Sequence, residues 1–100
     1  MTENWILQKA FDNYEDALID LHNTECKLAS ILDGDNLTQY KLTQDCWHQF
    51  LSAEAKMFAS IIDGQDNIMV FLSKFKTDLI NQRVNELKVY IVSLEKDELD

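Results

Sequence analysis

Apolar residues recur along the chain at three- and four-residue spacings, the period at which side chains return to one face of an α-helix. In the first third, Leu7, Tyr14, Leu21 and Leu28 repeat every seven residues, flanked by Phe11, Leu18 and Leu32 and by Ala10, Ala17 and Ile31. The stripe is three columns wide, broader than a coiled-coil seam and suited to a helix packed against two neighbours. Lys9, Asp12, Asp16, Asp20 and Lys27 take the opposite face, and Glu25 is the one charged residue inside the stripe. A second segment runs through Leu37, Tyr40, Trp47, Phe50, Leu51, Met57, Phe58 and Ile61, with Glu54 interrupting it. A third runs through Ile68, Phe71, Leu72, Phe75, Leu79, Ile80, Val84, Leu87, Ile91 and Leu94, and Gln82 and Arg83 mark where its stripe drifts around the helix.

The strongest punctuation between these segments is Asp33-Gly34-Asp35-Asn36 and Asp63-Gly64-Gln65-Asp66-Asn67. In each, Gly can supply the left-handed residue that ends a helix, and the Asp or Asn that follows is suited to capping the next. The corners lie inside an internal echo: Leu28-Ala29-Ser30-Ile31-Leu32-Asp33-Gly34 returns as Phe58-Ala59-Ser60-Ile61-Ile62-Asp63-Gly64. Two copies are too few for a solenoid, and shared helix-end grammar is enough to produce the similarity without duplication, so the echo is read as architectural and not functional. The pattern predicts an all-α fold, an antiparallel bundle of three long helices, each about 45 Å at the standard rise. The alternative is a bundle of four or five shorter helices, with extra breaks at His22-Asn23-Thr24 and Leu42-Thr43-Gln44-Asp45, where residues poor within helices cluster.

Composition narrows the class. One hundred residues, 46% of them hydrophobic, suit a single helical-bundle domain over residues 1–100 with a core that needs neither metal nor crosslink. There is no Pro and only two Gly, so connections must be short. Cys26 and Cys46 have no CxxC spacing and read as small buried hydrophobes in a reducing compartment. Met1-Thr2-Glu3-Asn4 lacks the basic and apolar regions of a secretory leader, and Asp100 displaces the letters KDEL from the terminus. No apolar run approaches the ~20 residues that span a bilayer. A cytoplasmic, intracellular protein is expected.

Candidate chemistry is sparse. His22, Glu25 and Cys26 would face Asp45, Cys46 and His48 in a hairpin about Gly34, and spacings of three and four residues suit metal ligands on helices. Cys26, Asp45 and His48 nevertheless lie about 100° or more from the centres of their own stripes, so His22, Cys26, Cys46 and His48 are not expected to form a metal site. Glu25 and Glu54 could be a tuned acid/base pair, but a structural role is favoured, with Glu54 pairing to Lys74 or Lys76 across the second corner. Trp5-Ile6-Leu7 is either a sticky anchor for another chain or a lid on the bundle's end. The Asp33 corner lacks the closing Glu of a twelve-residue calcium loop, and nucleotide-binding, zinc-protease and nucleophile-elbow motifs are all missing. No catalytic, cofactor-binding or metal residue is therefore assigned, no cofactor is expected, and the chain is read as not an enzyme.

Charge suggests a role instead. Eighteen acidic residues against nine basic leave a net −9, which disfavours direct binding to nucleic acid or an anionic membrane. Residues 1–33 hold seven acidic and two basic residues, whereas Lys74, Lys76, Arg83 and Lys88 gather mid-way along the third segment, making it the electrostatic neighbour of the first. These features lead to an expected function: a small acidic interaction protein, an inhibitor, antagonist or immunity-type binder of a basic target such as a nucleic-acid-binding protein. The alternative is a structural or chaperone-like bundle that homodimerises or holds a partner helix in an apolar groove.

Overall fold

The computed structural model describes residues 2–99 and contains three helices: α1, Thr2–Ile31; α2, Gly34–Ile61; and α3, Ile68–Leu99. No strand occurs among the described residues. Met1 and Asp100, on which the leader and retention-signal readings partly depended, lie outside them. The expected bundle of three long helices is what forms, and the breaks considered near residues 22–24 and 42–45 do not. Thr24 and Thr43 are accommodated because their hydroxyls donate to the carbonyls of Asp20 (2.7 Å) and Gln39 (3.0 Å) one turn back.

Both corners turn at glycine. Gly34 has φ +55° and Gly64 φ +84°, the left-handed region that a Cβ penalises. The first corner is shorter than the sequence implies. Asp33 is the N-cap in extended conformation without a side-chain cap bond, and Asp35 lies in the first turn of α2 instead of preceding it. At the second corner the Asn67 carbonyl accepts from the amides of Val70 and Phe71, and Asn67 is itself left-handed at φ 63°.

Consecutive helices run antiparallel, so α1 and α3 run parallel, as the contacts of Lys27 with Glu95 (3.2 Å) and Lys88 with Asp20 (3.9 Å) show. These contacts match the neighbour relation that charge suggested. The central core is an α1–α3 core: Ala17, Leu21 and Leu28 pack with Ile80, Val84, Leu87 and Ile91. On α3, Val70, Ser73, Thr77, Ile80, Val84, Leu87, Ile91 and Leu94 alternate by three and four and are all buried or half-buried. Ala10 and Ala17 let the two helices approach closely, while Ile80 and Leu87, fully buried, each contribute about 1.5–3 kcal/mol by leaving water.

Helix α2 is docked more loosely. It gives the central core only the half-buried Tyr40, Trp47 and Leu51 and rests more on α3 than on α1. The molecule is accordingly a flattened rod, 53 × 25 × 15 Å. Phe50, Met57 and Ile61, expected in the α2 core stripe, are instead exposed. The α2 core face is Leu37, Tyr40, Gln44, Trp47, Leu51, Glu54 and Phe58, an unbroken three–four alternation with two polar members.

Candidate functional site

Glu25, Gln44 and Arg83, one from each helix, meet in a polar layer across the bundle. Arg83 and Gln44 are buried, at 9% and 7% exposure. The Arg83 guanidinium donates from Nε (3.2 Å) and Nη2 (2.6 Å) to Gln44 Oε1 and from Nη1 to Glu86 Oε2 at 3.1 Å. Gln44 passes the connection on by donating from Nε2 to Glu25 Oε2 on α1. The same Glu25 oxygen meets His48 Nε2 at 2.7 Å. Trp47 lies beneath the guanidinium, 5.8 Å from the ring centre, and the Tyr40 hydroxyl donates to the Glu25 carbonyl at 3.3 Å. Burial, reinforced by the negative charge of Glu25 and opposed by Arg83, pushes the Tyr40 hydroxyl up to about 12, so it stays a neutral donor. Every buried side-chain nitrogen and oxygen among the described residues finds a partner, as such a layer requires.

The layer explains why Glu25 stands inside an apolar stripe: it is the α1 anchor for α2. Chemically it is a holding device, since its members satisfy one another and present no nucleophile beside a base. Arg83 enters the core beside its stripe, which the sequence registered only as a drift of periodicity. Gln44 escaped the sequence reading because it carries no charge. The signal available was the missing apolar residue midway between Tyr40 and Trp47.

A second feature is a furrow of about 440 Å³ between α1 and α3, lined by Asn13, Asp16, Ala17, Asp20, Thr77, Asp78 and Asn81. Its floor is the buried Ala17, and its three carboxylates are exposed. Asp12 and Glu15 extend the acidic surface along the outside of α1. A third feature is a cleft of about 390 Å³ near the α1–α2 corner, where Leu28, Leu32, Tyr40, Leu87, Tyr90 and Leu94 form an apolar lining with Arg83 at its margin.

The metal-capable residues do not converge: among the described residues no three His, Cys, Asp or Glu form a group that could hold an ion. His48 is engaged by Glu25. Cys26 and His22 are neighbours one turn apart on an exposed face of α1, with Sγ 3.7 Å from Nε2. Both cysteines are exposed, against the expectation of burial, because each falls off the face its helix turns to the core. Glu54 is half-buried, but no ion pair joins it to Lys74 or Lys76; Lys76 instead lies over the Tyr14 ring at 5.5 Å. Trp5 is exposed, with the Lys9 ammonium 5.5 Å from its ring centre, so it does not act as a lid on the bundle's end. No described helix is long and apolar enough to cross a membrane.

No family model matches the chain, and comparison with curated proteins and with solved structures finds no match either. Function has to be argued from geometry and charge.

Proposed function

We propose that the protein is a helical binding module that docks on a basic surface of another protein and acts as an antagonist by covering it. The observation that carries this reading is the acidic furrow. Asp16, Asp20 and Asp78 ring a concavity floored by Ala17, with Asn13, Thr77 and Asn81 between them. An incoming Lys or Arg side chain can lay its aliphatic stem on Ala17 and spread its donors over carboxylate and amide oxygens. Among the described residues the one cation paired to these carboxylates is Lys88, at 3.9 Å from Asp20 with both side chains about half exposed, a contact that a partner's cation displaces at little cost. The surrounding −9 charge steers such a partner and accelerates encounter.

Affinity capture with the tagged protein, beside its Asp16→Asn/Asp20→Asn/Asp78→Asn variant, tests the reading. A basic partner held by the wild type, released as salt rises and lost by an equally helical variant is the expected result. Retention indifferent to both salt and variant removes the proposal. The apolar cleft at the corner favours a second reading, insertion of an apolar side chain from a partner helix, and Leu94→Asp would then abolish capture while the furrow variant would not.

A further inference from the structure

The face of α2 that points away from the core is not the polar surface expected of a bundle helix. Leu42, Cys46, Phe50, Ala53, Met57 and Ile61 follow one another at three- and four-residue spacings, so they form a single stripe over five turns. All six are exposed, the four large ones at between 48% and 69%. At ~100° per residue the stripe is centred about 120° from the α2 core face. Its neighbours in that sector, Gln39, Thr43, Gln49 and Ser60, are uncharged. The register that stacks Phe58 on Phe75 (4.2 Å) also sets the exposed Phe71 of α3 level with the Ile61 end of α2. From residue 39 to residue 61 this sector carries no charge, and an apolar stretch of that length on a molecule of net charge −9 is a surface suited to burial against another chain.

We propose that it is covered by the α2 helix of a second copy of this chain, packed antiparallel about a two-fold axis between Phe50 and Leu51. The choice of occupant and direction comes from the charges along one edge of the stripe. Asp45 and Lys56 are eleven residues apart, three helical turns, and so lie on the same edge. An axis between residues 50 and 51 brings Asp45 opposite the partner's Lys56 and, by symmetry, repeats the pair once more. A parallel two-fold arrangement instead turns this edge toward the opposite edge of the partner's stripe, so neither pair forms. The same axis packs Phe50 beside the partner's Phe50, Cys46 between the partner's Ala53 and the partner's Met57, and Leu42 toward the partner's Ile61.

Self-association of two strongly acidic molecules needs a contact that keeps their carboxylates apart. This one does, because α2 packs mainly on α3, and the acidic furrow opens between α1 and α3. The proposal does not depend on what the furrow binds; a dimer would present two furrows on one particle.

Sedimentation equilibrium or light scattering of the full chain across a concentration series tests it. The wild type is expected to dimerise reversibly, and Phe50→Glu, which alters an exposed position, is expected to be monomeric with unchanged helical circular dichroism. Asp45→Lys and Lys56→Asp singly are expected to weaken the dimer on the order of tenfold, and the double exchange D45K/K56D to restore it. A wild type monomeric at every concentration, a dimer indifferent to Phe50→Glu, or a double exchange no better than the singles overturns the proposal.

Discussion

At the scale of single residues, the least replaceable group is the Arg83 guanidinium, a charge buried against Trp47 whose donors are accepted by Gln44 and Glu86. Truncating Gln44 to Ala removes its acceptor and leaves the Glu25 carboxylate short of a donor. Urea denaturation is expected to show a loss of about 2–4 kcal/mol, more than most single changes cause. Replacing Glu25, Gln44 and Arg83 together by Met, Leu and Met is expected to be near neutral or stabilising, because the desolvation of the ions disappears with them. The layer's value is then specificity: it fixes the register of α2, whose apolar contacts alone would tolerate sliding. A triple variant that is as stable yet gives broadened side-chain NMR signals would show this, whereas a uniquely packed one would count against it.

Tyr40 supplies a pH signature in the same layer. Its folded value, raised to about 12 from 10, means that the folded chain holds this proton more tightly than the unfolded one. The stabilisation is fully present below pH 10 and is lost as pH rises through 12. Ultraviolet titration at the phenolate band should show one tyrosine ionising late. Stability should fall over that window in the wild type and less steeply in Tyr40→Phe, which itself gives up the bond to the Glu25 carbonyl at a cost of about 1 kcal/mol.

At the scale of elements, the helices differ in how firmly they are held. Burial concentrates on α1 and α3, with Leu21, Leu28, Ile80 and Leu87 fully enclosed, while α2 contributes mainly half-buried side chains. Hydrogen exchange is expected to open α2 at a lower free energy than the Ile80–Leu87 stretch of α3. Equal protection in the two helices would mean that the polar layer holds α2 as firmly as the core holds α1. Substitutions follow the same division: Leu87→Ala should cost about 2–5 kcal/mol. Gly64→Ala meets nothing within 4 Å, so its expected cost of about 1–2 kcal/mol is purely that of a Cβ at φ +84°.

Three helices and two glycine corners were legible because periodicity and punctuation are local properties of the chain. Which of two apolar columns on α2 faced inward was not legible. Phe50, Met57 and Ile61 form as regular a stripe as Trp47, Leu51 and Phe58, and only the packing of α3 decides between them. Glu25 stood out because charge inside a stripe is conspicuous, and the facing of residues 22–26 with 43–47 followed from hairpin geometry alone. Gln44 and Arg83 did not stand out, since their meaning depends on each other across thirty-nine residues.

At the scale of the whole molecule, charge sets stability as well as partner choice. Confining a net −9 within a rod 25 Å by 15 Å in cross-section makes carboxylates repel over distances that the unfolded chain relaxes. Three lysine or arginine ion pairs oppose this among the described residues. Lys27–Glu95 and Lys88–Asp20 are exposed and worth at most about 1 kcal/mol each, so repulsion should dominate the salt response. Raising NaCl from about 10 mM to about 0.3 M shortens the screening length well below the width of the molecule and should raise the melting temperature. The measurement belongs in the Phe50→Glu background at fixed concentration, so that association does not contribute to the shift. In that background Asp16→Asn/Asp20→Asn/Asp78→Asn should melt higher than its parent at low salt and respond less to added salt, because the furrow gathers repulsion that a partner's cations are meant to relieve. If the substitutions lower the melting temperature instead, the furrow carboxylates are stabilised within the molecule by Lys88 and the amides around them, and holding them ready for another protein has no energetic basis.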